Sequence, residues 1–331
     1  MSGVASPVRI GILGFSDIAR RRFIPAADRA GNAVVTAVGT RDAERLGHSL
    51  PGGGPFTVLS YEALLANPDV DLVYISVPNH LHERWTLNAL EAGKHVLCEK
   101  PLGLSAASVT RMTDRARAKG LLLAENIAYL LHPVHERVRE LIASGRIGRV
   151  RQLRAAFGFR LTDRENFRLD PLRGGGAVSD LACYPLSAAR HFLSGGRYTF
   201  SGYAFERGGL NTGLVASGVT SADEGFLCSI GFEQQYECGY EIVGEAGSLR
   251  VERAFSLPPD RAALISLAAG GNKTSLDAGR ADHFQLMIEK VADAVLLRRE
   301  FASSYRDALD LSRLTEQLVR SCGVVRAREE A

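Results

Sequence analysis

Val8-Arg9-Ile10-Gly11-Ile12-Leu13-Gly14-Phe15-Ser16-Asp17-Ile18-Ala19 is a short apolar strand that ends in a glycine and runs directly into a helical pattern. That order is how a dinucleotide-binding βαβ unit begins. Ser16 stands where the GxGxxG/A pattern has its second glycine, the residue that lets the backbone approach a pyrophosphate. Serine fits there if its hydroxyl contacts phosphate, and alone the turn is weak evidence. A second apolar strand, Lys94-His95-Val96-Leu97-Cys98, delivers Glu99-Lys100-Pro101 at its carboxyl end. Ligands of open α/β sheets sit outside the carboxyl ends of parallel strands, so Lys100 is placed to reach the reactive end of a bound dinucleotide. Pro101 restricts Lys100 to extended backbone and so sets its direction. The plain alternative is a surface lysine after a strand.

Around these two segments the first 125 residues alternate apolar strands, at 8–13, 33–39, 72–77, 94–98 and 121–125, with helical patterns at 17–30, 60–66, 80–92 and 105–119. This rhythm predicts a doubly wound parallel sheet, a dinucleotide-binding domain over 1–125. Beyond residue 147 the rhythm changes. Leu153, Ala155, Phe157 and Phe159 alternate with polar or small neighbours as in a half-buried strand. Further strands are expected near 197–205, 213–221, 226–234, 238–244 and 247–252, with helices at 177–194, 281–298 and 304–321. Loops are expected at 206–212 and 270–272. Residues 126–331 are therefore expected to form an α+β domain with an open, largely antiparallel sheet. A C-terminal helix that packs back on the first domain stays open as a variant.

Composition narrows the function classes. The 331 residues are 46% hydrophobic and carry a formal net charge of +3 that is spread along the chain. This makes no case for nucleic acid or a membrane surface, and no run has the length of a transmembrane helix. Met1 to Pro7 is short and polar, without a signal peptide, and a cytoplasmic location is expected. Five cysteines, at 98, 183, 228, 238 and 322, show no CxxC spacing and read as reduced thiols. His132 and His135 stand at i, i+3 but lack further ligands at sensible spacing, so they are assigned to packing or pocket lining and no metal is expected.

Several polar residues are candidates for the site. Arg20, Arg21 and Arg22 lie early in the first helix, where cations oppose the dipole; a nearby anion, such as a cofactor or substrate phosphate, would offset this. Arg21 is assigned to the cofactor and Arg22 to the substrate, with a solvated basic face as the alternative. The second strand ends in Gly39-Thr40-Arg41, with no carboxylate for a ribose 2′-hydroxyl and with a guanidinium fork suited to a 2′-phosphate. NADP(H) is therefore expected over NAD(H), although Asp42 is close by. Asp180 lies four residues before Tyr184, so on a helix both point to one face. Asp180 also reads as an ordinary first-turn acid, and Tyr184 as a core tyrosine. Glu125, Asn126 and Arg168 are each balanced between site and scaffold.

With these residues assembled, the chain resembles the Gfo/Idh/MocA family of NAD(P)-dependent oxidoreductases over nearly its full length. The motifs are Gly14-x-Ser16-x-x-Ala19, Ser76-Val77-Pro78-Asn79-His80-Leu81-His82, Ala92-Gly93-Lys94-His95-Val96-Leu97-Cys98-Glu99-Lys100-Pro101 and Gly174-Gly175-Gly176-Ala177-Val178-Ser179-Asp180. It is most similar to the sugar 3-ketoreductases that act on nucleotide-linked deoxysugars, through Gly14 to Arg22, Tyr184-Pro185 and Phe232-Glu233-Gln234-Gln235-Tyr236. The resemblance implies a Rossmann domain followed by a domain whose open sheet covers the nicotinamide and buries a face against a second chain, giving a homodimer or homotetramer. It implies Lys100 beside the reacting carbon, with Pro101 often cis, and Tyr184 where many relatives carry histidine. It further implies cofactor contacts from Gly14, Phe15, Ser16, Asp17, Ile18, Val77, His82, Glu99, Arg168 and Asp180, and substrate contacts from Asp180, Tyr184 and Tyr236. The expected activity is NADPH-dependent reduction of the C3 keto group of a nucleotide-diphosphate sugar, with dTDP as the expected nucleotide. Oxidation of a free sugar, polyol or dihydrodiol, and non-catalytic NADP(H) sensing, stay open as alternatives.

Overall fold

The computed structural model describes residues 6–42, 56–299 and 301–326. It contains two compact units, Met1–Ala128 with Phe284–Ser312, and Tyr129–His283 with Arg313–Ala331.

The first unit is built on six strands: β1 (Val8–Leu13), β2 (Ala33–Gly39), β3 (Thr57–Leu59), β4 (Leu72–Ile75), β5 (His95–Cys98) and β6 (Leu123–Glu125). Their order is β3-β2-β1-β4-β5-β6, and every neighbouring pair is parallel. The connection reverses direction between β1 and β4, which opens a crevice outside their carboxyl ends. Leu72 to Ile75 are all fully buried, the continuous apolar pattern of a central parallel strand. The core joins Leu13, Ile75, Trp85 and Met112 with Tyr305 and Ala308 from the last helix, Ala302–Arg320.

The helix expected over 17–30 runs over 17–27 and contains a π-turn, Ala19–Phe23, continued by an α-turn, Ile24–Ala27. Pro25 has no N–H for the bond to residue 21, which favours the wider turn at this place.

The second unit carries a mixed nine-stranded sheet, ordered β14-β13-β12-β11-β7-β10-β9-β8-β15. The strands are β7 (Val150–Arg160), β8 (Tyr198–Arg207), β9 (Leu210–Thr220), β10 (Gly225–Gly231), β11 (Glu233–Gly244), β12 (Gly247–Glu252), β13 (Leu264–Ala269), β14 (Asn272–Asp277) and β15 (Cys322–Arg326). Among the described residues of this sheet, only β10 with β7 and β15 with β8 pair in parallel. Leu153, Leu214, Phe226, Ile242, Leu249 and Ile265 are buried on one face. Tyr203, Val215 and Leu227 are exposed on the other.

Three expectations change here. The loop at 206–212 contracts to Gly208-Gly209, both at positive φ (57° and 76°), which makes a two-residue hairpin turn. Gly270-Gly271 (58° and 79°) does the same between β13 and β14, two strands that the apolar pattern did not reveal. The helix expected over 177–194 divides at Ala182 into Ala177–Leu181 and Cys183–Phe192. Pro185 cannot donate to Leu181, so the break falls where the ladder loses its bond. No helix among the described residues is long and apolar enough to cross a membrane.

Candidate active site

In the first unit, the turn after β1 is fastened to the end of β4. Gly14 has φ +101°, and a Cβ there would stand 2.8 Å from the Ser76 carbonyl oxygen. The Ser76 hydroxyl donates to the Gly14 carbonyl at 2.6 Å. The Ser16 hydroxyl donates to Ser76 Oγ at 3.0 Å and accepts from the Ala19 N–H at 3.2 Å. Its proton is therefore committed to Ser76. The donors left to a phosphate are the backbone N–H groups of the first turn, which have no intrahelical partners. Phe15 packs against Phe56, with ring centroids 6.5 Å apart, and Ile18 is half-buried.

Arg20 and Arg21 have a local counter-ion, which corrects the argument that these two call for an external anion. Arg20 bonds the Asp17 carboxylate, and Arg21 lies 3.8 Å from its other oxygen. The Arg20 bond holds Asp17 below the usual carboxylate range. Arg22 lies over the Phe284 ring at 5.2 Å. At the end of β2, the Thr40 N–H bonds the Leu59 carbonyl at 3.0 Å and Arg41 is exposed.

Lys100 emerges from a turn tied on several sides, and its peptide to Pro101 is cis. The Glu99 carboxylate accepts from the Tyr74 hydroxyl at 2.6 Å, the Asn126 amide at 2.7 Å and the Lys100 N–H at 3.3 Å. Burial and the nearby Glu99 push the Tyr74 phenol well above its ordinary value, so it keeps the proton it donates. Glu125 accepts from the Leu102 N–H at 2.9 Å. Glu99, expected at the cofactor, is thus the carboxylate around which the Lys100 turn is organised. His82, also expected there, is fully buried, with ring nitrogens 2.7 Å from the Pro101 oxygen and 2.8 Å from the Val77 oxygen. A side chain with no exposed surface touches no ligand, so that expectation is corrected.

In the second unit, Gly174-Gly175-Gly176 wraps tightly around the segment before it. A Cβ on Gly175 would lie 2.5 Å from the Arg168 oxygen and 2.7 Å from those of Phe167 and Asp170, so glycine is required there. The turn brings Asp180 to Arg168, whose Nε donates to Oδ2 at 2.7 Å. Asp180 is only 4% exposed. Tyr184 is half-buried and joins a wall of rings, with Phe157 edge-on at 4.8 Å, Phe255 at 5.5 Å and Tyr129 at 5.8 Å. The Tyr236 hydroxyl pairs with Ser256 Oγ at 2.7 Å, next in sequence to Phe255.

His132 caps the helix Pro133–Ala143, its Nδ1 accepting from the Val134 N–H. His135 bonds the Tyr240 hydroxyl at 2.8 Å, and burial drives it down to about 3, so it stays neutral. Among the described residues, no group of three or more His, Cys, Asp and Glu is placed to hold a metal ion. The sequence reading missed Tyr74 and the ring wall. A hydroxyl inside the apolar run Leu72-Val73-Tyr74-Ile75 was the available signal, because a buried phenol needs a partner.

Comparison with known proteins places this geometry. Residues 8–127 match the family described as "Oxidoreductase family, NAD-binding Rossmann fold", and residues 135–250 match the "GFO/IDH/MocA C-terminal domain". A dTDP-3,4-didehydro-2,6-dideoxy-alpha-D-glucose 3-reductase of Saccharopolyspora spinosa is 38% identical over 80% of each chain. An NADP(+)-dependent D-xylose 1-dehydrogenase of Haloferax volcanii is 35% identical over 86% of this chain and 88% of its own. The crystal structure of KijD10, a 3-ketoreductase from Actinomadura kijaniata in complex with NADP and TDP-benzene, superposes with a TM-score of 0.92 at 30% identity, covering 98% of this chain and 100% of that one. Other structures of KijD10 carry a single substitution at a lysine or at a tyrosine, two positions spaced in its sequence as Lys100 and Tyr184 are here. The chain belongs to the GFO/IDH/MocA oxidoreductase family.

Proposed function

We propose that this protein is an NADPH-dependent ketoreductase acting on the C3 keto group of a nucleotide-diphosphate keto-deoxysugar, with dTDP as the nucleotide. The observation that carries the reading is Lys100 itself, held at the carboxyl end of β5 by Glu99 in a family of NAD-binding oxidoreductases. The cofactor fits the first unit: the Gly14 cradle would be filled by any Cβ, and Arg41, exposed just past β2, is the cation this reading gives to the 2′-phosphate. Gly14, Phe15, Ser16, Asp17, Ile18 and Arg21 form the pyrophosphate turn, Thr40 and Arg41 take the adenosine end, and Val77 flanks the turn. NADPH, when bound, supplies the hydride. Lys100 polarises the carbonyl and stabilises the oxygen as charge grows on it. Tyr184 delivers the proton or orients the sugar for Lys100 to do so. Asp180, fixed by Arg168, and Tyr236 complete the substrate side, and Arg22 offers a cation to the substrate phosphates.

The D-xylose dehydrogenase relative favours a second reading, oxidation of a free sugar. Steady-state assays in both directions separate the two. The ketoreductase reading requires a strong preference for the sugar with its nucleotide attached, and equal efficiency on the free sugar would overturn it.

NADPH selectivity is assigned to Thr40 and Arg41. Arg41→Ala is expected to raise the KM for NADPH far more than that for NADH, since only NADPH loses a charge-assisted contact worth about 1.5–3 kcal/mol. Equal changes for both cofactors would remove the assignment.

We further propose a homodimer or homotetramer joined through the open sheet face. Tyr203, Val215, Val219 and Leu227 expose 58%, 41%, 51% and 37% of their surfaces there, apolar area that a second chain would bury. Val215→Asp with Leu227→Asp should convert the oligomer to monomers by light scattering, with the circular dichroism spectrum retained. An unchanged mass would assign the interface elsewhere. The five free cysteines suit a reducing compartment such as the cytoplasm.

A further inference from the structure

His82 opens the helix His82–Glu91, directly after the segment Ser76–Leu81 that follows β4. Its ring lies between two main-chain oxygens, Pro101 O at 2.7 Å from Nδ1 and Val77 O at 2.8 Å from Nε2. Both partners are acceptors only. A neutral imidazole has one N–H, so it makes one of these contacts a hydrogen bond. Burial disfavours a second proton, and Lys100 adds to that, whereas the two carbonyls and Glu99 favour one. The two contacts are of nearly equal length, and the one that bears on Lys100 is to Pro101, the residue that follows it.

The Lys100 turn is then secured at three successive residues. Glu99 accepts from the Lys100 N–H, His82 meets the Pro101 carbonyl, and Glu125 accepts from the Leu102 N–H. Two of the three anchors come from neighbouring strand ends, β5 and β6. His82, seated after β4 with its ring also against the Val77 carbonyl, meets the turn from the β4 side, as Tyr74 does through Glu99.

We infer that His82 is the positioning residue of Lys100: it carries its proton on Nδ1, donates it to the Pro101 carbonyl, and so fixes the direction of the lysine relative to the nucleotide turn. This rests on the role proposed above for Lys100. His82 touches no ligand; it acts through the main chain.

The conservative variants separate this from simple space filling. An asparagine amide nitrogen occupies the place of Nδ1, and a glutamine amide nitrogen that of Nε2. His82→Asn therefore retains the Pro101 bond, and its kcat is expected within about fivefold of wild type. His82→Gln, closer in volume to histidine, loses that bond and should fall by about a hundredfold, the scale of a 1 Å misplacement of a reacting group. The Kd for NADPH should change less than threefold in both. Glutamine equal to or better than asparagine would overturn the inference, as would a loss confined to NADPH affinity.

A second measurement stands apart from activity. In 15N-histidine NMR of the wild-type protein at pH 7, the His82 Nδ1 should be protonated, in contrast to the Nε2–H form that free histidine prefers. An unprotonated Nδ1 would refute the inference whether or not the protein reduces any sugar. Absence of turnover with every keto-sugar, together with a protonated Nδ1, would instead overturn the proposed reaction and leave the His82–Pro101 bond standing.

Discussion

Lys100→Ala is expected to lower turnover by about a hundredfold or more, while NADPH affinity changes little, because in the proposed reaction the ammonium stabilises charge that develops only in the transition state. Lys100 reaches its place by local and distant constraints together. β5 ends at Cys98, and the Glu99 carboxylate receives the Lys100 N–H while Tyr74 and Asn126 hold it from behind. Removing the side chain leaves this scaffold intact, so the loss should appear in the chemical step and not in folding. Tyr184→Phe removes one hydroxyl from a ring that stays packed against Phe157 and Phe255. It should cost less than Lys100→Ala if Lys100 or water supplies the proton. Single-turnover loss of nicotinamide absorbance reads both variants. Near-wild-type rates in Lys100→Ala would reject the assignment, and a larger loss in Tyr184→Phe would make the tyrosine the principal acid.

Gly14→Ala should damage both stability and cofactor binding. The backbone there has φ +101°, a conformation that costs a non-glycine residue about 1–3 kcal/mol. The new Cβ would also sit 2.8 Å from the Ser76 carbonyl oxygen and 2.9 Å from Val77 Cγ1, and the carbonyl cannot yield without moving the end of β4. NADPH affinity is expected to fall about tenfold or more, equivalent to at least about 1.4 kcal/mol. Gly93→Ala is the matched control, since Gly93 has φ +76° but nothing within 4 Å of its added Cβ. It should lose stability through backbone strain alone and keep its NADPH affinity. Thermal unfolding with and without NADPH distinguishes the two, and similar NADPH-induced stabilisation in both variants would contradict the role given to Gly14.

The features that were legible in the sequence are those whose signals are local. The strand Val8–Leu13 with its glycine, and the strand that delivers Glu99 and Lys100, announce themselves by apolar run length and by the residue at the exit. Partners distant in sequence were not legible. The Ser16 hydroxyl looked available to phosphate, but its proton goes to Ser76, 60 residues away. His82 looked like a cleft residue because it follows a strand end, yet its ring is enclosed between Val77 and Pro101. The arginines at 20 and 21 looked uncompensated because Asp17 was counted with the turn and not as their ion-pair partner. β14 escaped because Asn272–Asp277 is exposed at nearly every position and so carries no alternation. The break at Ala182 was visible in principle, since Pro185 removes the ladder bond to Leu181 inside a helix over 177–194.

The most direct test of the central claim is the position of the transferred hydrogen. The protein is incubated with NADPH carrying deuterium at the reactive nicotinamide carbon and with a dTDP-linked 3-keto deoxysugar, and the product is read by NMR. Deuterium at C3 of a sugar still bearing its nucleotide is the predicted result. Deuterium at any other carbon, or a substrate recovered without label while NADPH remains bound, would contradict the account.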